Sequence, residues 1–476
     1  MQTLLRIYFA VVLLLVAHSS ATFAQDKPNV VLIMADDVSW ECFGCYGAQD
    51  YKTPRLDQIA KNGLRFKHCY STPICTTSRV KLMTGKYNFR NYTHFGYLSP
   101  NEKTFGSLMQ SAGYKTAIAG KWQLNGLTNR LPGHDDITRV KKAGFDESLL
   151  WQFTHTKDFG ERYWSPALQH DGVIKTKQDN AQAYGPDLIC DFVCDFIDRN
   201  QESPFFVYYP MVLVHAPFVA TPDTIGDASR SHEQNNAKGI KGPQRKKNFV
   251  AMVNYMDTLV GRVVDKLDAV GQLENTIIIF TADNGTHTSI RSQWNGREIR
   301  GGKGAMKDNG THVPLIAMWK GKTPVGKASE SLIDFTDFYP TLAAVAGIEL
   351  GAEDPIDGLS FYPELVGEPP SQRQWMMCHY QPYWYNKKSG QFVRNQRYKR
   401  YRDGRCYDLS SGDIDENHDI QQAIPPSAVA EFSLLEQLIE QAPPAPPKKG
   451  DKDTVDRPTY ADWPSLFGQE ADTHSK

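Results

Sequence analysis

Short, largely apolar runs recur along this chain, each followed by an amphipathic helical stretch, and that succession limits what it can fold into. Val30-Val31-Leu32-Ile33-Met34, the segments 114–119, 205–214, 276–280 and 312–319 lack the alternation of a strand with one wet face. Such runs read as strands buried on both faces, and in a βα succession they build a parallel sheet with helices on each side. The helices carry their own punctuation. Thr53-Pro54 gives an N-cap and a first-turn proline ahead of Leu56, Ile59 and Ala60, and Gly63 ends the helix; 104–112 repeats the pattern before Gly113. Pro186 opens a stripe of Leu188, Ile189, Phe192, Val193, Phe196 and Ile197. Segment 249–270 shows another, and 336–346 a third, closed by Gly347. The predicted class is α/β: a large, mostly parallel sheet sandwiched by helices.

Beyond about residue 365 the texture changes. Segments 375–385 and 392–409 are aromatic-rich short strands with an Arg402-Asp403-Gly404 turn, which predicts a small antiparallel C-terminal α+β subdomain. The organisation expected is a leader at 1–24, a main domain at 25–365, and a subdomain at 366–476 that includes a Pro/Lys-rich tail around 442–449. The polar, aperiodic segment 219–247 is long enough to suggest a functional loop.

Residues 1–24 hold Arg6, an apolar run from Ile7 to Ala17, and Thr22-Phe23-Ala24 before Gln25. This reads as a cleavable signal peptide, with an uncleaved anchor as the other reading. A secreted or periplasmic protein with no membrane span after cleavage is expected. Lys+Arg 53 against Asp+Glu 54 leaves no basic excess, which argues against a nucleic-acid partner. The 8 cysteines are scattered. Cys42 and Cys45 form a CxxC with no second copy, and Cys190 and Cys194 lie one helical turn apart, so buried thiols are expected.

Polar residues gather where strands end: Asp36-Asp37, Lys121, His215 and Asp283-Asn284. Ligands bind at the carboxyl ends of parallel strands. One Asp-Asp pair alone would be a turn or a helix cap. Two acidic pairs at two strand ends favour a cation between them, because adjacent carboxylates repel. The all-oxygen set suits Ca²⁺ or Mg²⁺ and not Zn²⁺. Lys303 sits between glycines, where a ligand can approach closely; a solvated loop lysine is its bland reading. His215 is either functional or a satisfied core histidine.

Six ordered motifs then resemble one family. They are 28–37 (PNVVLIMADD), 53–60 (TPRLDQIA), 75–85 (CTTSRVKLMTG), 113–122 (GYKTAIAGKW), 280–285 (FTADNG) and 302–304 (GKG), with Asp357-Gly358 and Tyr407-Asp408-Leu409 continuing the match. The chain resembles the formylglycine-dependent (type I) sulfatases, arylsulfatase-like members of the alkaline phosphatase superfamily. The resemblance implies an alkaline phosphatase-like fold and hydrolysis of a sulfate ester, with a sulfated carbohydrate as the expected substrate. It implies that Cys75 is oxidised to formylglycine (3-oxoalanine) by a formylglycine-generating maturation enzyme. One hydroxyl of the hydrate would attack sulfur, and the other would let the intermediate collapse. Asp36, Asp37, Asp283 and Asn284, with the Cys75-derived oxygen, would hold Ca²⁺ or Mg²⁺. Arg79 would orient the nucleophile, Lys121 and Lys303 would neutralise sulfate, and His215 or Lys303 would protonate the leaving alcohol.

Two positions depart from the family pattern. Thr77 stands where the modification core usually has proline, and Gln123 where a histidine usually follows the active-site lysine. Glutamine can hydrogen-bond a sulfate but is no base near neutral pH. Gln123, His287, Trp294, His379 and Tyr380 are candidates to line a substrate pocket, with packing or surface roles as the other reading. Two rival functions are a phosphatase or phosphodiesterase of the same superfamily, and a sulfoglycan-binding protein in which Cys75 is not matured. Oligomeric state is not legible.

Overall fold

A computed structural model describes residues 27–126, 130–151, 162–225, 240–351, 355–370, 373–382, 389–412 and 414–444. The expected leader, the 226–239 part of the long polar loop and the Pro/Lys-rich stretch from 445 lie outside the described residues. In chain order the strands are β1 (Asn29–Ala35), β2 (Leu64–Tyr70), β3 (Lys115–Lys121), β4 (Glu147–Trp151), β5 (Leu168–His170), β6 (Val173–Lys175), β7 (Phe205–Pro210), β8 (Thr276–Ala282), β9 (Arg291–Trp294), β10 (Arg297–Arg300), β11 (His312–Trp319), β12 (Lys327–Asp334), β13 (Met376–Tyr380), β14 (Gly390–Arg394), β15 (Tyr398–Tyr401) and β16 (Cys406–Asp408). The principal helices are α1 (Pro54–Asn62), α2 (Cys75–Thr84), α3 (Phe105–Ser111), α4 (Gly185–Arg199), α5 (Gly242–Ala269), α6 (Phe338–Ala346) and α7 (Val429–Gln441).

The centre is a 10-stranded sheet in the order β12-β2-β11-β8-β1-β7-β3-β4-β5-β6. Strands β8, β1, β7, β3 and β4 run parallel to one another, side by side. Antiparallel pairs lie to either side: β11 with β8 and β2, and β5 with β4 and β6. The parallel block is the expected one, and it is buried throughout, as in β1, where every residue is covered. Two helix groups flank the sheet, α1 with α4 and α5, and α2 with α3 and α6.

Parallel direction fixes where the chemistry collects. Ala35 pairs beside Ala282, so Asp36 and Asp283 leave their strands at one level, and Lys121, on β3, the next strand but one from β1, pairs beside Trp151 of β4. Between them, β7 stops at Pro210 and does not run to 214 as the apolar run predicts. Proline has no N–H to continue the ladder. The following residues stay buried and hug the end of β1: Met211 N donates to Met34 O (2.9 Å), Asp36 N to Leu213 O (2.8 Å) and Val214 N to Asp36 O (2.8 Å). That path delivers His215 to the acidic pair.

Helix α5 starts at Gly242, ahead of the apolar stripe, because Pro243 sits in its first turn and opens the helix through polar residues. The small sheet runs β13-β14-β15-β16, all antiparallel, with α7 packed on β14 and β15. Alternation along β13 matters here. Met376, Cys378 and Tyr380 pack in one cluster with Tyr70, Ile74 and Cys75, while Met377 packs in another with Phe89, Phe432 and Leu435. The small sheet therefore closes over the segment that carries Cys75. Among the described residues every cysteine is a free thiol, and no helix is long and apolar enough to cross a membrane.

Candidate active site

Cys75 is the first residue of α2, a helix buried along its whole length, and Ile74 before it is extended. The loop ahead of the helix is tied down by hydroxyls. Thr72 N donates to Ser78 Oγ (3.0 Å), Thr77 Oγ1 donates to Ile74 O (2.8 Å), and Thr72 and Thr77 share a hydrogen bond between their hydroxyls. One turn on, Arg79 points its guanidinium at Asp283 Oδ2 from Nε (3.3 Å) and Nη2 (3.2 Å), and donates from Nη1 to Lys121 O (3.0 Å).

Asp36, Asp37, Asp283 and Asn284 are fully buried. Asp283 Oδ1 accepts from Asp37 N (3.0 Å), and Asn284 Nδ2 donates to Asp37 Oδ1 (2.9 Å). Asp37 has φ 62, a left-handed backbone that turns its side chain back toward β8. Lys121 Nζ donates to Asp36 Oδ2 (2.7 Å), and Lys303 Nζ to Asp37 Oδ2. Burial opposes ionisation of Asp36, but Lys121, Arg79 and Arg162 outweigh it and hold the carboxyl well below its usual range. Burial, reinforced by Asp36, raises Asp283 to about 7.

Two acceptor oxygens, Asp36 Oδ1 and Asn284 Oδ1, are buried with no donor among the described residues. A buried acceptor without a donor calls for a cation or water. Asp36, Asp37 and His215 also offer ligand atoms within 4.8 Å of one another. The ring of His215 is already engaged, however. Its Nδ1 faces Ala216 O at 2.6 Å and its Nε2 faces Lys303 Nζ at 2.9 Å. The oxygens of the four acidic and amide side chains thus fit a hard cation such as Ca²⁺ or Mg²⁺.

The hydrogen-bond pattern assigns the His215 tautomer. Nδ1–H donates to the Ala216 carbonyl, so Nε2 is bare and accepts from Lys303. Burial, then Arg162, keeps the ring neutral by pushing its pKa well down. Lys303 is held in place by backbone on both sides: its own N donates to Thr286 O (3.0 Å) and Gly304 N to Pro73 O (2.7 Å). Burial disfavours its charge, but Asp37 more than compensates and raises its pKa.

The structure brings together Asp36, Asp37, Arg79, Lys121, His215, Asp283, Asn284 and Lys303, and it sets Cys75 in their field. Tyr380 is buried in the Cys75 cluster, and its hydroxyl has no hydrogen-bond partner among the described residues. Gln123, half-buried with φ 51, follows Lys121 off the strand. His287 lies beside Phe218, ring centroids 5.5 Å apart, on the loop after β8, where the Thr286 carbonyl accepts from Lys303 N. Trp294 is elsewhere: its Nε1 donates to Tyr46 O (2.6 Å) and its ring packs edge-on against Trp40.

His379 points to the opposite face of β13 from Tyr380. It accepts at Nδ1 from Gln391 Nε2 (2.6 Å) and packs edge-on against Phe89. Burial, helped by Arg402, lowers its pKa to about 3. A histidine kept neutral in the fold binds more protons when unfolded, so it stabilises fully above its unfolded pKa of about 6.5 and loses this as pH falls toward 3. At pH 5 the loss is about 2 kcal/mol. His312, stacked on Trp40 and lowered to about 4, adds in the same direction. The thermal midpoint should drop between pH 7.5 and 5, and His379→Gln should shrink that drop. An unchanged pH dependence in the variant would show that His379 is not responsible.

Residues without a sequence signal complete the site. Arg162 Nη1 reaches Asp36 Oδ2 at 3.4 Å. Behind the acidic loops, Thr286 Oγ1 accepts from Ser39 N (3.0 Å) and donates to Glu41 Oε1 (2.6 Å). This joins the segment after Asp37 to the segment after Asn284. Burial raises the Glu41 carboxyl.

A family model described as Sulfatase matches residues 28–348. Among curated relatives, arylsulfatase A of Homo sapiens is 30% identical, covering 82% of this chain and 77% of the relative. N-acetylgalactosamine-6-sulfatase of Canis lupus familiaris is 28% identical over 74% of this chain and 68% of its own. Among solved structures, Ps i-CgsB in complex with k-i-k-neocarrahexaose superposes with a TM-score of 0.70 at 25% identity, covering 87% of this chain and 92% of that one. BT4656 in complex with its substrate D-glucosamine-2-N,6-O-disulfate shares the fold, with a TM-score of 0.69 at 22% identity over 87% of this chain and 97% of that one.

Proposed function

Because this chain belongs to the sulfatase family and is a sulfuric ester hydrolase, we propose that it is exported and removes sulfate from a sulfated carbohydrate. The observation that carries this reading is the shared edge of five parallel strands, where three buried carboxylates meet Arg79, Lys121 and Lys303 around the start of α2. The relatives support a sugar substrate: one is an N-acetylgalactosamine-6-sulfatase, and two of the similar structures hold saccharides. Export to the periplasm or the cell exterior rests on the leader at 1–24.

In this reading Cys75 is matured to formylglycine, which supplies an oxygen nucleophile at the helix start. Asp36, Asp37, Asp283 and Asn284 hold Ca²⁺, with Mg²⁺ as the alternative, and such a cation polarises a sulfate oxygen. Arg79 fixes Asp283 and the Lys121 carbonyl, so it locks the helix carrying residue 75 against two strand ends. Lys121 and Lys303 meet the sulfate charge, and Lys303, backed by neutral His215, holds the proton for the leaving alcohol. A two-metal phosphatase or phosphodiesterase needs a second ligand cluster. Among the described residues one His/Cys/Asp/Glu cluster of ligating geometry occurs. The test is sulfate release from a panel of sulfated mono-, oligo- and polysaccharides. No release by protein carrying matured Cys75 would favour a sulfoglycan-binding role.

Thr77 sets a second test. At the third position of α2 its backbone N–H precedes the first helical bond, Ser78 N to Ile74 O (3.2 Å), so proline would cost no helical hydrogen bond there. Thr77→Pro should fold with a stability change of about 1 kcal/mol from the lost hydroxyl bonds. Co-expressed with a formylglycine-generating enzyme, it should show a larger fraction of the Cys75 peptide at the mass of formylglycine. An unchanged fraction would mean that Thr77 does not limit maturation.

A further inference from the structure

Each buried carboxylate of the site already has a basic partner: Lys121 on Asp36, Lys303 on Asp37 and Arg79 on Asp283. Among the described residues, Arg162 is a fourth cation with no carboxylate of its own. Its side chain is only 10% exposed, and its single acidic partner among the described residues is Asp36 Oδ2, at 3.4 Å, an oxygen already held by Lys121 at 2.7 Å. At that length the bond is marginal.

The guanidinium is nevertheless fixed. It lies over the Trp151 ring, 4.1 Å from the centroid, and Trp151 ends β4 beside Lys121 on β3. Stacking uses one face of the guanidinium plane and leaves its N–H edge for an acceptor. The neighbouring Tyr163 hydroxyl donates to the carbonyls of Val212 (3.0 Å) and His215 and takes one N–H of Arg162 on its lone pair, which leaves the rest of the fork. Lys121 and Lys303 act as point charges, whereas the arginine fork matches a planar or tripodal oxyanion through two N–H groups.

Building on the sulfatase reading, we infer that Arg162 is a specificity-determining residue that binds a second anionic group of the substrate, a carboxylate or another sulfate on the same short saccharide. The site is thus made for sugars carrying at least two negative groups, one cleaved at the Cys75 end of the cluster and one retained on the β4 side.

The experiment uses the matured full-length protein and its Arg162→Gln and Arg162→Lys variants. It measures kcat/KM on a neutral monosulfated disaccharide, a disulfated disaccharide and a monosulfated disaccharide containing a uronate. The wild type should favour at least one dianionic substrate. Arg162→Gln should lower the dianionic to monoanionic ratio about tenfold, chiefly through KM, and Arg162→Lys should restore part of it. Loss of preference confined to the disulfated sugar identifies the group as sulfate, and loss confined to the uronate identifies a carboxylate. Equal losses on all three substrates would overturn the inference, because Arg162 would then act only through Asp36. A wild type without preference for a second anion would overturn it as well. A matured wild type inert on every sulfated sugar is a different failure, seen before any variant is made, and it would remove the sulfatase reading and this inference together.

Discussion

Cys75→Ala is expected to abolish sulfate release, by about 10⁴-fold or more, while leaving the thermal midpoint close to that of the parent. The argument begins with what an unmodified Cys75 can do. Burial pushes the thiol pKa up, and Asp283 and Asp36 add to that; Lys121 and Lys303 pull the other way without reversing it. A thiol held protonated at neutral pH is a poor nucleophile, although it stands among cations that would suit an oxyanion. Conversion to an aldehyde removes this conflict, since its hydrate offers oxygens to the same surroundings. The active wild type should therefore show a Cys75 peptide about 18 Da lighter than the encoded cysteine, the exchange of sulfur for oxygen with loss of two hydrogens. Cys75→Ser should be as inactive as alanine in a host that matures only cysteine, because a serine offers one hydroxyl where a hydrated aldehyde offers two. Full activity from protein whose Cys75 has the unmodified mass would sink the mechanism.

The residues of this centre were legible in the sequence to the extent that topology forces them together. Asp36, Lys121, His215 and Asp283 are far apart in the chain, yet each follows an apolar run, and five parallel neighbours must release their chains at one edge. Arg162 gave no such signal. It lies 126 positions from Asp36, ends no described strand, and is located by its stack on Trp151 and its contact with Asp36. The aromatic-rich C-terminal segment read clearly as short strands but not as to which face each residue takes. His379 and Tyr380 are adjacent and look alike as candidates, yet the pleat sends Tyr380 to the Cys75 cluster and His379 to Phe89. Trp294 shows the same limit, since its hairpin packs on Tyr46 and Trp40. Periodicity reports that a residue is covered, and it does not report by what.

Lys303→Ala should cost about 10²–10⁴-fold in kcat on a sugar sulfate and far less on an aryl sulfate with an acidic phenol. The reason lies in where the proton sits. His215 donates through Nδ1 to the Ala216 carbonyl, which leaves Nε2 as an acceptor facing Lys303. The ring is kept neutral by burial and by Arg162, so it has no proton to give on the site side. Lys303 does: Asp37 overcomes burial and keeps the ammonium charged. A sugar hydroxyl leaves as a strongly basic alkoxide unless protonated, whereas a phenolate can leave unaided, so the loss must scale with leaving-group basicity. His215→Ala removes an acceptor that holds the ammonium in place, and it should cost less and depend less on the leaving group. A steeper leaving-group dependence in His215→Ala than in Lys303→Ala would move the acid to the histidine. That outcome would require the ring to carry its proton on Nε2, against the hydrogen bonds that now hold it.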